Sequence, residues 1–594
     1  MKECKASACS LFAGLDRLHD PPMRLVTVVL AIAGVVHAIT PELLRLGPQG
    51  VNLWKLNQKK SSLQRRLLVQ ETSAFSLADE FPAQWFEQPL DHFDKSRTDT
   101  FQQRYWVNKR HYNPDVGGPV IVLDGGETSG ETSLPRHRYC GNSVQCHRGV
   151  GVVLEHRYYG ESVATKNLTT DSLRFLNNDQ AAADSANFMA NVQFEGIDQN
   201  LTAPGTPWIY YGGSYAGARS AHMRILYPDL VFGAIASSGV THAAITNWEY
   251  MDVIRRAADP ICSNHLQKSI ETIDFILAHR VLSGPLKRLF GVHGLKHDVD
   301  FVSLIESPLG SWQDKNWDPV VGSTTFDDFC AAINNHSSSL SSSDVSITNL
   351  PYGAPERLVH LPGGLSLDFS VVNYANYIKN NVVSSCPDDM TQEQVSVLLY
   401  IFSGPLEWSP LIHLHGTLFL GPQVCFGTFN DTQYTDTSLS ETWRLWQFQV
   451  CTQWGYFTTA PPDPEYPRII SRLLDLEYES KLCRQAYPPG EVFTVPKLPN
   501  VTSVNVLGDF AIAADRLAII DGEVDPWRPD TPHSEYAKPR EDTVLRPFKL
   551  IPKAVHHWDE NGLPGLVGEP FDIKKIHEEE ISFVLEWLKD FKKD

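Results

Sequence analysis

The 594-residue sequence is short of positive charge. Its 51 Lys and Arg residues stand against 70 Asp and Glu residues, which gives a formal net charge of −19 at pH 7. Binding to a nucleic-acid backbone needs clustered Lys and Arg side chains that neutralise phosphates. The charge balance therefore argues against nucleic acid as a partner, and it favours solubility without identifying a substrate.

Long hydrophobic runs and metal-binding spacings are also missing. The longest apolar run near the amino terminus, 25–36, is shorter than the roughly 20 residues that cross a bilayer, and no comparable run follows. We therefore expect no membrane-spanning helix. No cysteine pair has CxxC spacing and no Cys/His cluster has zinc spacing, so we expect no metal and no cofactor.

The start of the chain has the features of a secretory signal. The apolar run 25–36 follows Met23-Arg24 and is followed by the small-x-small pattern that ends at Ala38. Residues 1–22 do not resemble the positively charged start of such a signal, and our hypothesis is that Met23 is the true start. We assign residues 1–38 to a signal region and the mixed, polar residues 39–80 to a linker or propeptide.

The cysteines and glycosylation sequons agree with secretion. Cys4 and Cys9 precede the expected cleavage site, and an even number of cysteines remains. In a secreted chain this favours disulfides over free buried thiols, and Cys140 with Cys146 could close one small loop. Asn-x-Ser/Thr sequons, where we predict glycosylation, occur at Asn167, Asn200, Asn335, Asn430 and Asn500.

From about residue 81, continuous apolar runs alternate with helical patterns. The runs predict strands at Val120–Leu123, Val150–Leu154, Trp208–Tyr211, Phe232–Ala236, Arg516–Ile520 and Phe548–Ile551. Such strands, separated by helices, indicate a parallel sheet that is covered on both faces. We therefore predict an α/β domain.

Residues 246–500 lack this alternation. They contain predicted helices, such as Leu266–Leu282 and Gln392–Phe402, and several loops with proline. The simplest organisation is a split α/β core, 81–245 and 501–594, with residues 246–500 inserted as a helical domain.

The segment Gly212–Gly217 predicts a nucleophilic serine. A strand that runs through Gly-x-Ser-x-small into a helix exposes the serine on a tight turn, and small residues let the two backbones approach closely. Here the strand leads to Ser214, and Ala216 stands where a second glycine is usual. A plain turn serine is the alternative, and the strand before and the helix after favour the nucleophile.

A general base and an orienting acid are expected to follow in the order Asp, then His. Asp525 follows a predicted strand and is the candidate acid, while Asp521 is a local competitor that could simply cap the turn. The next strand is followed by His556 and His557. One of them is the candidate base and the other is structural.

Two backbone N–H groups are candidates for holding an oxyanion. The first is that of Tyr215, directly after the nucleophile. The second is that of Gly126, in the glycine-containing loop after the Val120–Leu123 strand. The glycines of this loop are equally compatible with a plain strand-to-loop turn.

Several segments together resemble the prolyl carboxypeptidase / dipeptidyl peptidase 2 family of serine peptidases, the S28 family. Two are specific, Glu155–Ser162 (EHRYYGES) and Gly212–Gly217 (GGSYAG). The others, in the same order along the chain as in the family, are Phe86–Phe93, Gln103–Trp106, Asp525–Trp527 and His556–Asp559.

The resemblance implies an α/β-hydrolase core whose active site is capped by the inserted helical domain. It implies cleavage of peptides or proteins after proline at acidic pH, and a location outside the cell or in a vacuole or lysosome. Whether the protein forms a homodimer is left open. It carries the nucleophile onto Ser214, the acid onto Asp525 and the base onto His556. Gln453 replaces the family's usual Glu, which leaves open which peptide end is recognised.

Two further functions are compatible with the same residues. An esterase or lipase can be built on the same fold, because fold alone does not decide function. A catalytically silent secreted binding protein is the third reading, and the intact Ser, Asp and His argue against it.

Overall fold

The computed structural model describes residues 45–68, 81–115, 117–133, 147–335, 346–347, 358–360, 366–386, 392–402, 408–419 and 421–591. For residues 59–68, 346–347, 358–360, 392–402, 408–419 and 421–422 it describes the backbone alone. The expected signal region, Cys140 and Cys146 lie outside these residues.

The strands are numbered in chain order. They are β1 (Gln84–Pro89), β2 (Thr100–Asn108), β3 (Val120–Asp124), β4 (Val150–Leu154), β5 (Trp208–Gly213), β6 (Gly233–Ser237), β7 (Ala244–Thr246), β8 (Ser346–Ile347), β9 (Leu358–His360), β10 (Ser366–Asp368), β11 (Gln392–Phe402), β12 (Trp408–Phe419), β13 (Gly455–Phe457), β14 (Leu517–Gly522) and β15 (Phe548–Ile551).

The α-helices are numbered in the same way. They are α1 (Gly47–Leu68), α2 (Thr170–Leu173), α3 (Asn178–Asn191), α4 (Tyr215–Leu226), α5 (Glu249–Ala257), α6 (Pro260–Leu277), α7 (Arg280–Leu289), α8 (Asp298–Ile305), α9 (Thr325–Ile333), α10 (Phe369–Tyr377), α11 (Gly421–Phe426), α12 (Trp443–Gln449), α13 (Leu476–Ala486), α14 (Thr502–Asn505) and α15 (Phe571–Leu588).

An eight-stranded sheet forms the centre of the fold. Its strand order is β1-β2-β4-β3-β5-β6-β14-β15. β1, β2 and β4 pair antiparallel, and every pair from β4 through β15 is parallel. This order, in which β4 and β3 exchange places, is that of the α/β-hydrolase fold, so the predicted fold class is confirmed.

The two faces of the sheet are buried in different cores. In β3, Val122 packs in one core with Ala221 of α4, while the adjacent Leu123 packs in another core with Trp587 of α15. Successive side chains of a strand point to opposite faces, so a strand covered on both sides must be apolar throughout. This explains why the central strands are continuous apolar runs in the sequence.

The chain between β6 and β14 forms a mainly helical cap. Its α5 to α10 share one buried core, which includes Leu266, Phe301 and Tyr374. One predicted helix is wrong: Gln392–Phe402 forms β11, which pairs antiparallel with β12 from Gln392 opposite Phe419 to Phe402 opposite Trp408. The run is rich in Val and aromatic residues, which favour strands, and the partner strand decides the structure.

Part of the segment assigned to a linker or propeptide is packed structure. Leu46, Leu53 and Leu56 lie in the buried core of the cap. The side chain of Gln49 donates a hydrogen bond to the carbonyl of Asp300 at 3.2 Å. Residues 45–58 are therefore integrated into the fold and do not form a free linker, while the domain boundaries themselves remain predictions.

The features expected of a secreted chain can be examined in the structure. Disulfides, as predicted, join Cys262 to Cys330, Cys386 to Cys425 and Cys451 to Cys483. All five sequon asparagines are exposed, and their glycosylation stays a prediction. Across the described ranges, every helix is too short or too polar to cross a bilayer.

Candidate active site

Ser214 lies at the sharp turn between β5 and α4. Its backbone has φ 60° and ψ −124°, a conformation that non-glycine residues rarely adopt and that must be held by its surroundings. The N–H of Ser214 donates to the carbonyl of Ser237 in the neighbouring strand β6 at 2.9 Å. The strained turn presents the serine at the carboxyl end of the sheet.

The small residues of this motif are required by close backbone contacts. A side chain on Gly212 would collide with the carbonyl of Ala216, and one on Gly217 would collide with the carbonyl of Ser237. Ala216 itself is buried beside these backbones. The departure from a second glycine is therefore accommodated.

Asp525 and His556 form a buried hydrogen-bonded pair. The Nδ1 of His556 lies 2.8 Å from Oδ2 of Asp525, and both side chains are at most 1% exposed. The other carboxylate oxygen of Asp525 accepts from the N–H of Trp527 at 2.9 Å. This geometry fixes the orientation of the imidazole and leaves its Nε2 as the free ring nitrogen.

The competing residues have other partners. Asp521 is 2.6 Å from Nδ1 of His533, so it is paired away from His556. The Nδ1 of His557 lies 3.0 Å from Oε2 of Glu560, and its backbone N–H donates to the hydroxyl of Ser238. The structure therefore brings His556, and not His557, to Asp525.

The end of β6 connects these groups to the serine. Ser237 accepts from the N–H of Ser214, and Ser238 accepts from the N–H of His557. The Nε2 of His556 is buried and has no hydrogen-bond partner within the described residues, so the Ser214 hydroxyl is not bonded to it here. Hydrogen bonds between catalytic groups often tighten only when substrate is bound.

The charge states of the pair suit a base and its orienting acid. Burial would raise the pKa of Asp525, but His556, the Ser238 hydroxyl and the Trp527 N–H hold it below its usual range. Burial lowers the pKa of His556 below its usual range, although Asp525 opposes this shift. Asp525 is therefore ionised and His556 neutral at neutral pH.

The two predicted oxyanion donors are in different situations. Tyr215 begins α4, where backbone N–H groups have no partner within the helix. Gly126 has φ 60°, and a Cβ placed there would lie 3.5 Å from Cβ of Ala216, so its loop is next to the first turn of α4. However, its N–H donates to Oδ1 of Asp124 at 3.0 Å, so an oxyanion would have to share this donor.

A buried network behind this loop escaped the sequence analysis. Oδ2 of Asp124 accepts from the hydroxyl of Tyr210 at 2.5 Å and from Nε of Arg219 at 2.7 Å. These three side chains come from β3, β5 and α4, and they tie the oxyanion loop to the helix of the nucleophile. The sequence Asp124-Gly125-Gly126 on its own indicates only a turn. Arg219 is distant from it in the sequence, and only the fold brings the two together.

A cleft between the sheet and the cap opens onto Ser214. Its floor includes Tyr215 and Val240. Aromatic rings form much of its wall, namely Trp446, Tyr456, Phe457 and Trp527. The rings of Tyr456 and Trp527 pack edge to face at 5.1 Å. Three of the four rings come from the cap, whose position over the site was expected.

Glu127 also lines the cleft. Burial raises its pKa to about 7, and the nearby carboxylates of Asp124 and Glu560 act in the same direction, while His557 opposes them. A neutral Glu127 adds no negative charge next to the serine. The sequence analysis did not single out this residue, because two of the groups that act on it, His557 and Glu560, are distant in the chain.

Gln453 has a structural position. Its side-chain oxygen accepts from the N–H of Asn178 at 2.9 Å, at the start of α3, and its amide nitrogen lies 3.4 Å from the Ser503 hydroxyl. It is not among the residues that line the cleft. The position at which Gln replaces the family's Glu therefore lies at a helix end, outside the residues that line the cleft.

The sheet order and the strained serine turn, with a buried Asp–His pair at the same end of the sheet, define the class as α/β-hydrolases with a serine nucleophile. The model of the serine carboxypeptidase S28 family matches residues 88–290. A protein of Arthroderma benhamiae named "Probable extracellular serine carboxypeptidase" is 37% identical over 533 residues, 86% of this chain and 68% of that protein.

Two further relatives are similar over most of their length. "Serine protease vicPa" of Bipolaris victoriae is 25% identical, over 85% of this chain and 88% of that protein. "Lysosomal Pro-X carboxypeptidase" of Mus musculus is 25% identical, over 76% of this chain and 79% of that protein. The chain belongs to the S28 family of serine peptidases.

Proposed function

We propose that this protein is a secreted peptidase that cleaves peptides on the carboxyl side of proline at acidic pH, with Ser214, Asp525 and His556 as its catalytic residues. The observation that carries the proposal is the cleft itself, in which Ser214 lies below aromatic rings and the oriented His556 is at the same end of the sheet. Apolar aromatic walls suit the flat, apolar ring of proline.

The mechanism follows from the positions of the protons. Nε2 of His556 takes the hydroxyl proton of Ser214 while the serine oxygen attacks the carbonyl carbon of the proline residue. Asp525 accepts the Nδ1 proton of the same ring, which holds the tautomer and stabilises the charged form. The N–H groups of Tyr215 and Gly126 hold the oxyanion. His556 then protonates the departing amine, and water releases the acyl group from Ser214.

A substrate panel tests this function. An amino-terminally blocked Ala-Pro-Phe peptide should be cleaved after proline at least about tenfold more efficiently, in kcat/KM, than its Ala-Ala-Phe counterpart, because the aromatic walls contact the ring. Product masses identify the bond that is cut. Hydrolysis of simple acyl esters alone would favour the esterase alternative, and absence of labelling by a fluorophosphonate would favour a silent binding protein.

The pH profile should depend on Glu127. Its pKa of about 7 means that it is neutral below this pH and anionic above it, where it opposes the negative charge of the oxyanion. Because the pKa of His556 is lowered, the base stays neutral into the acidic range. We expect kcat of the wild type, on a blocked substrate without ionisable groups, to fall about tenfold between the plateau and pH 8.

The Glu127→Gln variant should lose this alkaline fall while the acid limb stays in place. Glu131→Gln is the matched control, because Glu131 is an exposed carboxylate on the same loop and does not line the cleft. A Glu127→Gln profile that superimposes on that of the wild type would exclude Glu127 as the origin of the alkaline limb.

A further inference from the structure

The first residue that the structure describes, Arg45, reaches the active-site cleft. It lines the cleft together with Ser214 and Trp446, although it precedes the α/β core in the sequence by some distance. Among the described residues that line the cleft, it is the only Arg or Lys. A segment that precedes the core in the sequence thus contributes a cationic side chain to the lining of the cleft.

The guanidinium of Arg45 lacks the partners that buried arginines normally have. Its side chain is 4% exposed, and none of its three nitrogens has a hydrogen-bond partner within the described residues. The carboxylate of Glu306 is 3.6 Å away, which is an ion pair without a hydrogen bond. A buried guanidinium has five donors to satisfy, so this one is short of an anion with two acceptor oxygens.

The protein's own carboxylates next to Arg45 do not fill this role. Glu306 and Glu479 are both buried, and their oxygens also lack hydrogen-bond partners within the described part of the chain. Burial raises the pKa of Glu306 to about 7, with Arg45 opposing, and burial together with Glu306 raises that of Glu479 well above its usual range. At the acidic pH proposed for the reaction both carboxyl groups are neutral, so neither balances the charge of the guanidinium beside them.

The surroundings hold the guanidinium in place and close the cleft behind it. Its central carbon lies 4.9 Å from the centre of the Tyr250 ring. A side chain on Gly310 would collide with the guanidinium, so the backbone there is in direct contact. Gln49 and Asn52, in the first turns of α1, bond to the backbone of the cap. Beyond Arg45 there is protein, which suits the end of a peptide rather than its middle.

We propose that Arg45 binds the free carboxylate at the carboxyl terminus of the peptide substrate and so sets a carboxypeptidase mode of cleavage. The inference rests on the proposed peptidase function. The planar guanidinium matches a carboxylate with two parallel hydrogen bonds, and a desolvated site strengthens such a pair. A free amine would instead be repelled by Arg45, and a continuing chain would meet Tyr250 and Gly310.

Two peptides that differ only at the end test the proposal. Amino-terminally blocked Pro-Phe and its carboxyl-terminal amide are compared on the full chain, as wild type and as Arg45→Met and Arg45→Lys. The wild type should prefer the acid. Arg45→Met should lower kcat/KM for the acid by at least about 30-fold and leave the amide within about twofold, because a desolvated charge pair is lost. Arg45→Lys should retain part of the wild-type preference for the acid over the amide.

Lys55→Met is the control, because it removes a cation from the adjacent helix α1, one that bonds to the carbonyl of Gln433 away from the cleft. Fluorophosphonate labelling checks that each variant is folded. Equal loss on acid and amide would assign Arg45 a purely structural role. A wild type that cleaves both peptides equally, or an active enzyme whose amino terminus lies beyond residue 58, would overturn the proposal. Cleavage of neither peptide would overturn the peptidase function as well.

Discussion

Ser214→Ala is expected to lower kcat on a proline peptide by about a million-fold, with KM little changed. Without the hydroxyl there is no acyl-enzyme, and His556 has no proton to take from the nucleophile. The cleft walls are untouched, so substrate should still bind. The measurement is turnover of the blocked Ala-Pro-Phe peptide at high enzyme concentration, with thermal unfolding recorded to show that the fold is retained.

Ser384→Ala serves as the control for this change. Ser384 is an exposed serine of the cap whose hydroxyl bonds to the carbonyl of Asn380, and its removal should leave kcat unchanged. Retention of more than about one per cent of wild-type kcat by Ser214→Ala would mean that another group performs the attack.

Asp525→Asn is expected to lower kcat by about ten thousand-fold. The oxygen of the new amide can keep the bond from the Trp527 N–H, so its NH2 group faces Nδ1 of His556. Nδ1 then has to accept, the ring proton moves to Nε2, and that nitrogen can no longer take a proton from Ser214. The fold should survive, because the shape of the side chain is nearly unchanged.

Asp521→Asn is the matched comparison. Asp521 lies near the end of β14 and Asp525 follows this strand, and both aspartates are buried and pair with a histidine. Asp521 pairs with His533, which is not part of the cleft. We expect its kcat to stay within a few-fold of wild type, with the change seen mainly in stability. A larger loss of kcat for Asp521→Asn than for Asp525→Asn would reverse the assignment.

Much of the fold and the serine turn could be predicted because the signals are local. The apolar runs at Val120–Leu123 and Trp208–Tyr211 are strands buried on both faces, and such strands need no partner to be recognised. Gly212, Ser214 and Gly217 form a motif that is contiguous in the sequence, although Gly217 also packs against the carbonyl of Ser237 in β6. The separation of Asp525 from Asp521 and of His556 from His557, by contrast, depends on contacts that a single sequence leaves open.

The remaining features depend on pairs that are distant in the chain. The periodicity of Gln392–Phe402 does not separate a helix from a strand, and its pairing with β12 makes it a strand. Arg45 reads as one basic residue in a polar segment, and only the burial of Leu46 and Leu53 in the cap brings it to the cleft. The sequence left the effect of Gln453 on substrate recognition open, and its bond to the N–H of Asn178 lies at a helix end.

The identity of the nucleophile is tested most directly by mapping a fluorophosphonate adduct by peptide mass spectrometry. The account predicts one adduct per chain, on the peptide that contains Ser214, with labelling slowed by the Ala-Pro-Phe peptide and absent in Ser214→Ala. An adduct on a different serine, or a wild type that is folded and takes up no label, would contradict it.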